Sequence, residues 1–454
     1  MKKSKAGALF IAAAVMLSGA PALGKVGQDE ADKLKTVLTP VGAERAGNQD
    51  GSIPAWDGGL SKSPPCYKGR PNRYCDPFPD DKPLFTINKG NLDTYKARLT
   101  PGQLALFASY PDTYKLNVFT TRRTAVYPDF INEATYKNAL NGELISNGEG
   151  VAGAILGFPF PIPKVGQEVI WNHKLGYVGP GLTHWNEQAA VTTDGSFTLT
   201  KLREDIKLHY GTRGVKPEDL NNVGVYFLQV VTEPPRLAGT ITLVHETMDQ
   251  VKEVRRAWQY NPGQRRLRRA PNVGYDNPGT GSDGLRTNDQ YAMFNGATDR
   301  YTWKLIGKKE VYIPYNAYVI HSDKYKVRDI VRKGHINQDL ARYELHRVWV
   351  VEANLKAGTS HLYAKRIFFV DEDSWHIMWV DNYDGRGQLW RPQESHVIQY
   401  YDQPLLSTAM DVMYDLQSRR YLAMQMSNED PESVERDFRI EYFDPQNVQK
   451  QATK

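Results

Sequence analysis

Cysteine is nearly missing from this chain: 454 residues hold only Cys66 and Cys75. That excludes a multi-disulfide scaffold and a cysteine-built metal site. A strong charge of one sign is missing too. Lys and Arg number 57 against 52 Asp and Glu, a net +5, far from the basic excess of nucleic-acid specialists. No uninterrupted apolar run of 18 residues occurs after the N-terminus, so no spanning helix is expected. Charged residues at 24% and apolar ones at 40% also exclude wholesale disorder.

Catalytic signatures stop short. Gly279-Thr280-Gly281-Ser282-Asp283-Gly284 matches GxGxxG but lies mid-loop, without the strand before it and the helix after it that dinucleotide binding needs. His245-Glu246-Thr247-Met248-Asp249 starts like a zinc-protease helix and has Asp in place of the second His. No GxSxG elbow and no GxxxxGK[ST] phosphate loop is present. The ten His lack ligand spacing. The chain is therefore read as a non-enzyme, with no cofactor, no metal and no catalytic residue.

What is there begins with a leader. Lys2, Lys3 and Lys5 form a basic region, Ala6 to Leu17 an apolar one, and Ala20-Pro21-Ala22 a cleavage site, with Ala22-Leu23-Gly24 as a shifted alternative. Removing residues 1–22 as a signal peptide leaves 54 basic residues against 52 acidic, a net +2. Leu17-Ser18-Gly19-Ala20 carries Ala where a lipidated Cys would stand, so a free periplasmic protein, soluble after cleavage, is expected. In that oxidising compartment Cys66 and Cys75, nine apart in a Pro-rich loop, form a disulfide worth about 2–3 kcal/mol.

Residues 23–165 read as a wrapping segment with short helices over 29–38, 91–99, 101–109 and 132–140, and a packed Gly/Pro-rich loop at 150–163. Residues 166–426 read as a sheet domain. Its strands are expected at 168–175, 187–193, 196–202, 225–231, 240–248, 251–260, 301–312, 343–355, 360–370 and 375–381, followed by a helix over 407–424. Asp194-Gly195 and Asn261-Pro262-Gly263-Gln264 are hairpin turns, so sequential antiparallel pairing is expected. Pro271 to Arg300 is a Gly/Asp/Asn-rich loop long enough to be functional or to serve as a lid. A polar tail covers 427–454.

Eight of the nine Trp follow residue 170. A meander over 343–381, with a tip at Ala357-Gly358 and a four-residue loop at 371–374, groups Trp349, Arg366 and Trp379 in one row and Arg347, Phe368 and Ile377 in the next. It puts His346, Phe369 and His376 on the other face. Both faces come out apolar, which predicts a sheet covered on both sides. An Arg in an aromatic cavity needs a partner, such as the acidic head of an amphipathic ligand. Ligand contacts are accordingly expected from Trp258, Tyr260, Trp303, Arg347, Trp349, Arg366, Phe368, Trp375 and Trp379. Arg265, Arg266, Arg268 and Arg269, straddling Leu267, are a candidate partner-docking strand.

LTPVGAERAGNQDGSIPAWDGG (38–59), LTPGQLALFASYPDTYKLNVFTTRRTAVYPDF (99–130), GFPFPIPKVGQEVIWNHKLGYVG (157–179), YNPGQRRLRRAP (260–271) and SDGLRTNDQYAMFNGATDRYTWKLIGKKEVYIPYN (282–316) resemble an exported bacterial family labelled outer membrane lipoprotein-sorting protein. The resemblance implies the periplasmic lipoprotein carrier and receptor fold. That fold is mainly β with α (α+β), a strongly curved antiparallel sheet forming an unclosed barrel with helices on its concave side. It implies no reaction. As partners it implies a hydrophobic small molecule or lipid, an inner-membrane exporter of the resistance-nodulation-division type and an outer-membrane protein; the near-neutral charge excludes nucleic acid, and a monomer is expected. A non-catalytic scaffold of an envelope transport assembly is the alternative reading.

Overall fold

The computed structural model describes residues 24–270 and 275–452, so the leader expected at residues 1–22 lies outside the described part. Its helices are α1 Gln28–Ala31, α2 Leu92–Tyr95, α3 Pro101–Ser109, α4 Asp129–Asn141, α5 Gly166–Lys174, α6 Tyr318–His321, α7 Val327–Ile330 and α8 Pro445–Ala452. The strands are β1 Phe85–Ile87, β2 Leu116–Val118, β3 Glu143–Ile145, β4 Gly150–Ala152, β5 Gly181–Val191, β6 Phe197–Leu208, β7 Val223–Glu233, β8 Ile241–Thr247, β9 Arg256–Asn261, β10 Arg266–Arg269, β11 Tyr301–Pro314, β12 Tyr343–Leu355, β13 Lys365–Asp371, β14 Ile377–Tyr383, β15 Leu389–Tyr400, β16 Leu405–Asp415, β17 Arg420–Met426 and β18 Val434–Glu435. No described helix is long and apolar enough to cross a membrane.

Sixteen strands form one sheet, in which consecutive hairpins β5 to β10 and β11 to β17 meet where β17 pairs with β5. Pairing is antiparallel except for one bridge between Val118 and Tyr343. Among the described residues β10 pairs only with β9, so the sheet does not close. It curves strongly, because just beyond β11 the Ala317 N–H reaches the Val397 carbonyl on β15, four strands away, at 2.8 Å. The fold is the expected α+β unclosed barrel. Asp194 turns β5 into β6 by accepting the Ser196 N–H on Oδ1 at 3.0 Å, with Gly195 at a positive φ of 94°.

The N-terminal segment joins this sheet: β1 and β2 lie beside β12. Helix α3 starts where Thr100 and Gln103 exchange side-chain-to-backbone hydrogen bonds at 2.9 and 3.1 Å with Pro101 at the first position. It covers the face of β13 and β14 that carries Phe369 and Trp379, and a Cβ at Gly102 would stand only 2.8 Å from the Trp379 indole nitrogen. Cys66 and Cys75 are disulfide-bonded. The tail from Ser427 is not a loose polar end. Phe443 and Val448 are buried against Tyr226, Leu243 and Tyr260 on the outer face of the sheet.

Three expectations are corrected. Residues 168–175 form helix α5 rather than a strand. Glu168 accepts the Lys164 and Val165 N–H groups at its start, and Val169, Ile170, Trp171 and Asn172 are all buried. A helix buried all round shows no polar face, and its short apolar run looks like a strand. Residues 407–424 form the β16–β17 hairpin rather than a helix. Asp415 Oδ1 takes the Gln417 and Ser418 N–H groups at 3.1 and 2.8 Å, which fixes the turn. Both strands are buried on both faces, so the alternation that marks a strand is erased.

The third correction is the meander register. Trp349 pairs with Val370 and Ala353 with Arg366, a shift of four residues that keeps the faces. Between β13 and β14 the register steps from Phe369–Trp379 to Val370–Ile377, a bulge that turns Trp379 away from Arg366. The row of Trp349, Arg366 and Trp379 therefore does not form. Phe368 sits between Val351 and Val380, and Arg347 and His346 lie beyond the end of β13.

Candidate functional site

Cross-strand neighbours build the floor of a cavity of about 330 Å³. Leu182, Ile206, Phe227 and Val244 form one row across β5, β6, β7 and β8, with Leu208 and Val225 in the next. The roof is the last turn of α5, with Trp171, His173 and Lys174, together with Tyr291, Ala292 and Phe294 from the Gly/Asp/Asn-rich loop. Ser374, Trp375 and His376 and then Leu406, Ser407 and Thr408 close the far side. Both halves of the sheet contribute, so this is its concave face.

Two imidazoles meet here with ring centroids 5.2 Å apart. His173 Nδ1 accepts the Ile377 N–H at 3.2 Å, which makes Nε2–H the donor to the Ala292 carbonyl at 2.8 Å. Burial pulls His173 down to about 4 and His376 well below its usual value, so both rings are neutral at pH 7. Lys174 donates to the Gly296 carbonyl at 2.7 Å and rests over the Trp171 ring, and burial lowers it to about 8. Arg255 is ion-paired with Glu246.

At another part of the wall stands Arg286, only 3% exposed. Its guanidinium lies against the backbone of Gly279, where a Cβ would come within 2.2 Å of Nη1. Among the described residues no carboxylate lies within 4 Å of it, and its side chain makes one hydrogen bond, to the Thr287 carbonyl at 3.3 Å. Burial lowers its pKa.

Of the nine residues expected to contact a ligand, Trp375 alone lines the cavity. It is fully buried at a positive φ of 59°, with its indole on the Val41 carbonyl at 2.8 Å. Trp349 stacks on it from outside the cavity. Trp258 and Tyr260 face the opposite side of the sheet, under α8 and Phe443. Trp303 and Phe368 pack on each other and on Phe294. Trp379 donates to Asp381 beneath α3.

The two arginines expected to meet a ligand head group have internal partners instead. Arg366 is held by both oxygens of Asp289 at 2.7 and 3.1 Å, and Arg347 by Glu372 at 2.6 Å and the Ala46 carbonyl at 2.7 Å. Arg265, Arg266, Arg268 and Arg269 are exposed on the β9–β10 hairpin. The floor residues were missed although their alternation, Leu182 with His184 and Val225 with Phe227, is present in the sequence. Arg286 carried no signal except its place in the loop already singled out.

Elsewhere, His346, Asp371 and Asp373 offer ligand atoms within 4.8 Å of one another. Arg123 already takes both oxygens of Asp373, and Tyr315 and Ser374 donate to Asp371, so the group is a buried ion network.

A curved, unclosed sheet enclosing an apolar cavity under a buried helix defines the class: an α+β protein with an internal cavity on its concave face. The chain belongs to the family described as protein of unknown function (DUF1329), whose model matches residues 86–449. It is 50% identical over 422 residues to an uncharacterized protein of Pseudomonas aeruginosa, covering 93% of this chain and 92% of that one. Among solved structures, it is similar to a DUF1329 family protein from Desulfovibrio piger, at 14% identity and a TM-score of 0.40 over 60% of this chain and 92% of that one. It is also similar to a Vibrio parahaemolyticus domain described as outer membrane lipoprotein-sorting, at 14% identity and a TM-score of 0.43 over 62% and 97%.

Proposed function

We propose that the protein is a periplasmic carrier or accessory protein that holds a lipid or other hydrophobic molecule in this cavity. In this reading it moves its ligand between the inner and outer membranes together with a resistance-nodulation-division type exporter. The observation that carries the proposal is the cavity itself, whose floor of Leu182, Ile206, Leu208, Val225, Phe227 and Val244 presents apolar surface to space rather than to protein. The exporter partnership rests on the family resemblance read in the sequence.

Native mass spectrometry with organic extraction tests the carrier on protein purified from its own periplasm. A co-purifying lipid mass is expected, together with uptake of a fluorescent acyl probe by stripped protein. Val244→Trp should narrow the cavity and weaken uptake while the circular dichroism stays native. A clean apo mass with no uptake would sink the reading.

One observation favours the scaffold alternative: Arg265, Arg266, Arg268 and Arg269 lie exposed on and beside β10, an edge strand. Such a row suits an acidic partner or phospholipid heads. Capture of envelope partners that survives changing all four to Glu would remove this docking surface.

A further inference from the structure

Among the described residues the charge at Arg286 has no carboxylate within 4 Å. A guanidinium 3% exposed is costly to bury without an anion, and proteins pair such groups or place them where a ligand supplies the charge. Of the acids nearest Arg286, Glu204 and Asp289 are spent, while Asp411 has both oxygens buried without a hydrogen-bond partner among the described residues and stands more than 4 Å away. Glu204 Oε1 takes amide protons from Asn186 at 3.0 Å and Gln229 at 2.8 Å, and its Oε2 takes the Tyr291 hydroxyl at 2.5 Å. Asp289 belongs to Arg366. Burial pushes Asp411 up to about 7, so it is only partly charged near neutrality. Among the described residues Arg286 Nε has no hydrogen-bond partner, and the side chain borders the cavity beside Thr280 and Tyr291.

We infer that the cavity takes a single-chain amphipath whose anionic oxygen head, carboxylate or phosphate, sits on Arg286 while its tail lies along the Leu182–Ile206–Phe227–Val244 row. This rests on the carrier reading and gives it a ligand class and an orientation. A planar guanidinium with free N–H groups matches two oxygens of one head group. Gly279 keeps that site open, because any Cβ there would displace the guanidinium. The other cation on the wall, Lys174, is satisfied by the Gly296 carbonyl and the Trp171 ring and is more exposed to solvent.

The test compares dodecanoate, dodecyl phosphate and dodecan-1-ol by calorimetry on delipidated full-length protein. The anions should bind the wild type at least tenfold more tightly than the alcohol. Arg286→Met should erase that difference and leave alcohol binding unchanged, while Lys174→Met should preserve it. Tighter binding of either anion than of the other supports the inference and identifies a phosphate-headed or a carboxylate-headed lipid. Equal affinity of acid and alcohol in the wild type overturns the head-group site alone. So does a preference lost in Lys174→Met and kept in Arg286→Met. Failure of all three probes to bind overturns the carrier reading with it. The wild-type comparison decides the matter even where a variant does not fold.

Discussion

Asp289→Asn should cost this protein about 3–5 kcal/mol of stability. The wild-type carboxylate, 2% exposed, grips Arg366, 1% exposed, through two hydrogen bonds of 2.7 and 3.1 Å, and also accepts from His361 at 3.1 Å. Removing one partner of such a pair strands a buried cation, which is the expensive case. The Tyr363 ring 4.9 Å and the Phe294 ring 5.4 Å from the guanidinium return a part of it, on the order of 1 kcal/mol. Burial raises the Asp289 carboxyl, but Arg366 and His361 outweigh it and hold the group well below the usual range. A depressed folded pKa means that the stabilisation is complete above the unfolded value near 4 and is lost as pH falls through the folded value.

Urea unfolding followed by Trp fluorescence should therefore show a large loss for the variant at pH 7 and a narrower gap from wild type at pH 3. Hydrogen exchange should rise first in residues 279–296, which Asp289 pins to the sheet. Combining Asp289→Leu with Arg366→Met should cost less than either single change, because no charge is then stranded. A loss below about 1 kcal/mol for Asp289→Asn, with unchanged exchange in the loop, would mean that Asp289 does not carry the Arg366 charge.

Cys66→Ser should lower stability by about 2–3 kcal/mol through the loop-entropy term, read as the shift in urea midpoint against unreduced wild type. His173, held at about 4 by burial, makes the folded state bind fewer protons than the unfolded one between about pH 4 and 6.5. Stability should fall with acidification across that window, and His173→Gln should flatten the fall in a pH series of thermal melts. Gly279→Ala should displace the Arg286 guanidinium and cut the preference for dodecanoate over dodecan-1-ol at least fivefold while alcohol affinity holds; an unchanged ratio would detach the Gly-rich turn from the site. Asp415 fixes the β16–β17 turn and also accepts from the buried Arg391 at 2.9 Å, so Asp415→Ala should destabilise by about 3–5 kcal/mol in urea titration, much of it from the stranded guanidinium.

Features that depend on near neighbours are legible along the chain. The Cys66–Cys75 bridge spans a short loop, Thr100-Pro101 and Gln103 cap a helix locally, Asp194-Gly195 suits a tight hairpin, and the β-branched runs pair in order. The shared segments from Leu38 to Asn316 pointed to the family, and with it to an unclosed curved sheet. Features that depend on distant groups emerge only in the folded protein. Burial on every side removed the periodic signal from α5 and from β16 and β17, so a helix looked like a strand and a hairpin like a helix. The step in register between β13 and β14 sent Trp379 to the far face, an outcome of packing under α3 that no local pattern records. Arg366 found its counter-charge 77 residues away in Asp289, while Arg286, unremarkable in its loop, was left facing the cavity. Turn and cap chemistry act over a few residues and can be read along the chain; charge pairing and cavity lining depend on which side chains meet in space, and that is settled only when the sheet curves.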